Sequence, residues 1–301
     1  MKKHTKYKAM TLAELERKFP TEDACKSYLQ ASRWPQGVKC PRCNNEEVTE
    51  LTTKEYHWQC YKCAPDTSYR FSVLVGTIFE NTNVDLTIWF KVIYLMMTSK
   101  KGISALQVMR MMGFGSYHTA HKMCHKVRVA MGNREFHKLV GFVEVDETFV
   151  GGKSKNKHRN KRGGGTGGGG SGKAIVAGAV SRKGNVVARV IANVETSTIE
   201  KFVRETVSDK VSLLCTDEYT AYRRLGFEYP VGMVHHGAGE YVHGSVHTNT
   251  IEGFWSLIKR GIVGTFHKVS AKYLPLYVKE FEFRYNNREN PDIFSAIIKA
   301  C

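Results

Sequence analysis

The sequence predicts an α/β protein in which a small metal-stapled module and a helical segment precede a larger domain of alternating strands and helices. Three observations carry that expectation. Two Cys-x-x-Cys pairs, "CPRC" at 40–43 and "CYKC" at 60–63, stand sixteen residues apart (positions 44 to 59). Two helical patterns follow, around 104–112 and 116–131, joined at Gly113-Phe114-Gly115. From residue 136 onward short apolar alternations take over, each ending at Gly or at an acid. The expected domains are 1–80, 81–135 and 136–301, the last interrupted by a basic, glycine-rich insertion at 151–173.

Length and charge limit what such a chain can do. It has 301 residues, enough for two or three cores, and a hydrophobic content of 42%. Lys and Arg number 45 against 28 acids, a net charge of +17. A field of that sign favours a polyanion, either nucleic acid or an anionic membrane. The longest apolar stretch, "LTIWFKVIYLMM", is broken by Lys91 and falls short of the ~20 residues of a membrane span. The opening "MKKHTKYKAM" has no apolar run behind its charges, so a signal peptide is not expected. The expected location is therefore cytoplasmic, in association with the nucleoid. In such a reducing compartment the eight cysteines point to metal rather than to disulfides.

A Cys-x-x-Cys knuckle lets two thiolates reach one ion from a tight turn, and two knuckles complete a tetrahedral site. Cys40, Cys43, Cys60 and Cys63 are thus expected to hold one structural Zn²⁺, with "VTELT" and "YHWQCY" as flanking strands. Four thiolates leave no open position for water. Cys25, Cys124, Cys215 and Cys301 lack partners at ligand spacing and read as small hydrophobes.

"PTEDACKSYLQASRW" reads as a helix, with Thr21 as N-cap, Glu22 and Asp23 in the first turn, and Pro35 beyond its end. "NVDLTIWFKVIYLMMTSKKG" reads as a buried helix closing at Gly102. The two glycine-joined helices after it suggest a helix-turn-helix, the second carrying His118, His121, Lys122, Lys126 and Arg128. A plain αα-hairpin with a solvated basic face fits the same residues.

Residues 151–173 contain no acid and no apolar side chain. Such a segment cannot pack, and its Lys153, Lys155, Lys157, Arg159, Lys161 and Arg162 suit phosphate contact. Beyond it "AIVAGAVSRKGNVVARVIANV" reads as a hairpin turning at Lys183-Gly184-Asn185. "STIEKFVRETV" reads as an amphipathic helix, and "VSLLCTDEY" as a buried strand ending in acids.

The strand "VEVDETFVGGK", residues 143–153, is unusual, since acids are depleted from strands. Asp146 stands near its end, and Asp217 stands where the later strand runs out. If the two strands are neighbours, the carboxylates converge and repel unless a divalent cation lies between them. Oxygen ligands of that kind suit Mg²⁺ or Mn²⁺. Glu252, in "HTNTIEGFWSLIKRGIVG", is the candidate third acid. There Ile251, Phe254, Trp255, Ile258 and Ile262 form the core stripe of a helix, with Glu252 and Lys259 on another face. Taken singly, each acid has a plainer reading. Asp146 would be an outward strand acid, Asp217 an Asx device, and Glu252 the partner of Asn249 in a capping box.

These motifs together resemble the zinc-ribbon insertion-sequence transposases of bacteria. "WPQGVKCPRC" and "CYKC" are similar to that family's ribbon, and "VGTIFENTNVDLTIWF" and "KKGISALQ" to its linking segment. "VEVDETFVGGK", "CTDEYTAYRRL" and "HTNTIEGFWSLIKRGIVGTFHKVS" resemble its three catalytic segments, and "YVKEFEFRYNNR" its closing helix. The resemblance implies an RNase H-like mixed-sheet domain with a DDE triad. The triad falls on Asp146, Asp217 and Glu252, followed by Lys259, and Asn249 is an alternative third ligand. Glu147 and Glu218, each beside a proposed ligand, are expected on the opposite strand face, as supporting or surface groups.

The implied activity is cutting of element ends and their joining to target DNA. Two Mg²⁺ (or Mn²⁺) ions per site would flank the scissile phosphate, and Lys259 would grip a phosphate as a point charge. The partners would be double-stranded DNA, at terminal inverted repeats and at the target, and further copies of the chain assembled on it. Lys122, Lys126, His247 and Asn249 are further candidate DNA contacts. His235, His236, His243 and His247 match no tight metal motif. Two other readings fit the residues: a DNA-binding regulator with an inert catalytic domain, and an RNase H-like nuclease without strand transfer.

Overall fold

The computed structural model describes residues 10–63, 66–132, 137–151, 173–217, 220–234 and 246–301. They form two compact units, Met1–Asn133 with Glu289–Cys301, and Arg134–Arg288. The basic run Lys153–Arg162, the glycine tract, Glu218, His235, His236 and His243 lie outside the described residues.

The first unit opens with α1 (Leu12–Lys18) and α2 (Glu22–Arg33). Thr21 caps α2 as the sequence suggests, its hydroxyl accepting the Ala24 N–H. Helix α1 starts at a local signal carried by two residues. Thr11 and Glu14 form a reciprocal capping box. Strands β1 (Thr49–Glu50), β2 (His57–Cys60) and β3 (Tyr69–Ser72) make an antiparallel sheet in that order. Trp58 and Phe71 pack across it, with Trp34 edge-on to Trp58.

Helix α3 (Leu86–Thr98) starts at Asp85, which accepts the Thr87 N–H, and buries Phe90, Ile93 and Met96. Helices α4 (Ala105–Met112) and α5 (Tyr117–Gly132) meet across the expected glycine turn. Gly113 ends α4 in the left-handed region, at φ 69°, where a side chain would be strained. The chain's last helix, α9 (Ile293–Ala300), also belongs here. Its Phe294 packs edge-on to Phe90, and Ile297 and Ile298 are buried. The second compact unit ends at Arg288, and the residues after it, with the apolar face of α9, belong to the first. Cys25, Cys124 and Cys215 are buried as expected, and Cys301 is half-buried.

The second unit is a five-stranded mixed sheet. Its strands are β4 (Leu139–Val150), β5 (Ala174–Ser181), β6 (Val186–Ile191), β7 (Val207–Asp217) and β8 (Val231–Val234), in the order β6-β5-β4-β7-β8. Strands β4, β5 and β6 are antiparallel neighbours, whereas β7 lies parallel to both β4 and β8. Helix α6 (Thr196–Thr206) supplies the crossover from β6 to β7.

Each face of the sheet has its own core. Val143, Val145, Ala177 and Ala179 pack with Ile199, Phe202 and Tyr222 on one side. Val176, Val180 and Val186 pack with α7 (Asn249–Gly261) and α8 (Leu274–Asn286) on the other, through Ile251, Phe254, Trp255 and Phe281. The two-residue period of β4 then decides where its acids go. Val143 and Val145 face α6, so Glu144 and Asp146 face α7. This three-layer arrangement is the RNase H-like mixed-sheet fold expected after a zinc ribbon and a helical segment.

Candidate metal centres and nucleic-acid interface

The ribbon brings four sulfurs together from two turns. In the first, Asn44 takes a positive φ of 56° and donates its N–H to the Cys40 carbonyl, while the Cys40 N–H bonds Asn45. Cys40 Sγ lies 3.8 Å from Cys63 Sγ, and Cys43 Sγ lies 3.7 Å from Cys60 Sγ. All four ligand atoms fall within 4.8 Å of one another. A tetrahedron with Zn–S bonds of about 2.3 Å has edges of about 3.8 Å, so the cluster already has the size of a zinc site.

The acids of the second unit come together differently. Strands β4 and β7 run parallel with Glu144 opposite Cys215. Two residues further along each strand stand Asp146, within β4, and Asp217, the last residue of β7, on the same face of the sheet. Glu252 arrives on the first turn of α7, above that face. Burial pushes the Asp146 carboxyl up to about 6, and the negative charges of Asp217 and Glu252 add to the rise. The three acids therefore share one electrostatic neighbourhood. They are not drawn into one tight ligand shell: among the described residues only the four cysteines bring three or more ligand atoms within 4.8 Å.

The neighbours of these acids are more specific than the sequence suggests. Trp255 is 3% exposed, a core residue as expected, yet its indole N–H also donates to Asp146 Oδ2 at 2.9 Å. Gly178, directly opposite Asp146 on β5, makes room for that ring. A Cβ there would come within 2.4 Å of Trp255 Cη2. The Thr248 hydroxyl donates to Glu252 Oε1 at 3.0 Å. Thr248 occupies the N-cap position, so Asn249 is the first helical residue and the capping box suggested by Asn249 and Glu252 does not form.

Glu147 faces the other side of the sheet, as alternation requires, but it is not a surface group. It accepts a hydrogen bond from the fully buried Tyr222, and burial pushes its carboxyl up to about 7. Glu144 is fully buried and tied to Arg182 and to the start of α7. A supporting place for Glu147 is among the sequence expectations, whereas the roles of Glu144, Thr248 and the Trp255 N–H are not. The available signal was spacing: Glu144 and Asp146 must share a face, and Trp255 lies one helical turn after Glu252.

The candidate DNA contacts separate into free and engaged side chains. Lys122, Asn249 and Lys259 are exposed. Lys126 is half-buried, its ammonium donating to the Glu80 carbonyl at 3.2 Å. Arg128, expected on the same basic face, is instead 1% exposed and part of the core. His247 turns Nδ1 to within 3.2 Å of Glu144 Oε1. No helix among the described residues is long and apolar enough to cross a membrane.

Comparison with known proteins agrees with this architecture. Residues 138–286 match the family described as ISXO2-like transposase domain, and residues 20–65 match the transposase zinc-ribbon domain. An uncharacterized protein in transposable element ISH50 of Halobacterium salinarum is 29% identical over 277 residues, covering 88% of this chain and 91% of the relative. An uncharacterized transposase-like protein of Haemophilus influenzae is 30% identical over 108 residues, covering 36% of this chain and 85% of the relative. No solved structure matches. With a four-cysteine ribbon at one end and three acids converging on a mixed sheet at the other, the chain belongs to the zinc-ribbon, DDE-type transposases of insertion sequences.

Proposed function

We propose that the protein cuts the ends of its own element and joins them to target DNA, with Asp146, Asp217 and Glu252 holding two Mg²⁺ or Mn²⁺ ions. The observation that carries this reading is the convergence of three acids from β4, β7 and α7. It leaves a partly buried carboxylate, Asp146, raised to about 6 beside two like charges. Such a cluster is unfavourable alone and suited to hard divalent cations. Two ions about 3.5–4 Å apart need not share every ligand, so the wider spread of these acids fits a pair better than a single ion.

When bound, the ions would supply Lewis-acid stabilisation of the attacking and leaving oxygens. The protein's own groups do the rest. Trp255 donates to Asp146 and favours its ionised form, and Thr248 orients Glu252. Lys259, exposed seven residues further along α7, stands about 10 Å down the helix axis and would hold a DNA phosphate. The thiolate cluster would carry one structural Zn²⁺. Basic side chains, including Lys122 and the run from Lys153 to Arg162, would make phosphate contacts on double-stranded DNA. Copies of the chain would assemble on the paired element ends.

The test is an assay with DNA bearing the element ends, a target plasmid and Mg²⁺. Wild type should cut and join. Asp217→Asn should slow both steps by about a thousandfold while leaving end binding intact. Cutting without joining would replace the reading by a nuclease, and binding without cutting by a regulator.

A further inference from the structure

Helix α7 begins without a side-chain cap of its own. An N-cap Ser or Thr normally accepts the N–H of the second or third helical residue. Thr248 does not; its hydroxyl goes to the Glu252 carboxylate. The N–H groups left over, on Thr250 and Ile251, are taken by a residue far away in sequence. Glu144 Oε2 accepts both, at 2.7 and 3.0 Å, and Glu144 Oε1 accepts the Thr250 hydroxyl at 2.8 Å.

Glu144 is fully buried, so its charge needs a partner, and Arg182 supplies it through Nε at 2.7 Å. The same guanidinium donates to the His247 carbonyl at 3.0 Å, just before the N-cap. Glu144 and Arg182 therefore grip the chain on both sides of the α7 start. Glu144 also stands two residues before Asp146 on the same strand face, and the next turn of α7 returns Trp255 to Asp146.

We propose that Glu144, anchored by Arg182, is a positioning residue for the third acid. It replaces the local cap of α7 from the neighbouring strand, frees Thr248 to orient Glu252, and so fixes the separation of Glu252 from Asp146. This inference rests on the reading of Asp146, Asp217 and Glu252 as cation ligands. A merely structural role would cost stability without changing cation affinity. A positioning role lowers cation affinity and kcat in protein that is fully folded.

The experiment titrates Mn²⁺ into the zinc-replete full chain by calorimetry, for wild type, Asp146→Asn, Glu144→Gln and Thr250→Val. Cleavage of end DNA is measured in parallel. Glu144→Gln should raise the Mn²⁺ dissociation constant by about tenfold or more. It should lower kcat while leaving KM for end DNA unchanged. Thr250→Val, which removes one hydroxyl donor and keeps the side-chain shape, should raise the dissociation constant by about threefold. If Glu144→Gln fails to fold, Thr250→Val decides: a shift supports the proposal, and wild-type affinity overturns it. Folded variants that melt earlier yet bind Mn²⁺ as wild type does would also overturn it. If Asp146→Asn binds Mn²⁺ as well as wild type, the cation reading itself fails and the positioning proposal falls with it.

Discussion

The two candidate metal centres of this chain are built on opposite plans. The ribbon gathers soft thiolates from two turns close in sequence, and its sulfurs stand at tetrahedral spacing, within 4.8 Å of one another. The second unit gathers hard carboxylates from the interior of one strand, the end of the next and the start of a helix, and leaves them apart. The ribbon site is closed, and its geometry is its purpose. The carboxylate site is looser, with Asp146 held by Trp255, Glu252 by Thr248, and the start of α7 by Glu144. One centre should stabilise the fold, and the other should cost stability until a cation arrives.

The ribbon should be the more sensitive of the two centres. Wild-type protein should carry one zinc per chain, and Cys60→Ser combined with Cys63→Ser should carry none and lose the ribbon fold. Structural zinc sites contribute about 10–16 kcal/mol of apparent binding energy, more than a small three-stranded sheet can replace. Asp146→Asn should behave in the opposite way, keeping its zinc and raising the melting temperature by about 2–4 °C in the absence of divalent cations. Metal analysis and thermal melts check both, and a destabilised Asp146→Asn would show that the acid cluster does not cost stability.

A smaller effect concerns the charge that brings DNA to the site. With a net charge of +17, affinity for end DNA should fall by about tenfold or more between low and physiological ionic strength. A flat response in anisotropy titrations would assign the charge to something other than phosphate.

Trp255→Phe isolates one bond of the frame, since it keeps an aromatic ring in the core and removes the N–H that reaches Asp146. That bond holds the Asp146 carboxyl down against burial. Its loss should move the acidic limb of the cleavage profile to higher pH and lower the rate below it by about tenfold. Gly178→Ala should do the same by displacing the indole. An unchanged pH profile in both variants would reduce Trp255 to packing.

The mildest effect is on stability. In the folded protein Asp146 titrates at about 6 and Glu147 at about 7, above their ordinary values of 3.8 and 4.5. Between pH 4 and 7 the native state therefore binds more protons than the unfolded chain, so these groups make stability fall as pH rises through that window. Added Mn²⁺ should oppose the fall at pH 7 and have little effect at pH 4, read as melting temperature. A Mn²⁺ effect of equal size at both values would separate it from these carboxyls.

What the sequence revealed follows the same division. The ribbon was legible because all four ligands announce themselves by short spacing. The capped helix at Glu22, the glycine turn at Gly113 and the hairpin at Lys183-Gly184 were legible because each depends on its own few residues. The family resemblance and strand alternation pointed to Asp146 and Asp217. The frame around them was not legible, because it is tertiary. Glu144 reads as one more strand acid until α7 is seen above it, and Gly178 as one more small residue until Trp255 lies across it. Arg128 misled for a related reason: its place in a basic run gives no sign that the helix turns it into the core. Helix α9 likewise carries no mark of the unit it joins.

If the acids of β4, β7 and α7 form a cation site separate from the zinc ribbon, that site should bind Mn²⁺ independently of the zinc. Mn²⁺ binding to zinc-replete wild type, Asp217→Asn and Glu218→Gln can be followed by electron paramagnetic resonance. Wild type and Glu218→Gln should bind Mn²⁺ with similar affinity. Asp217→Asn should bind about a hundredfold more weakly while its zinc content stays at one per chain. Wild-type Mn²⁺ affinity in Asp217→Asn would remove Asp217 from any cation site.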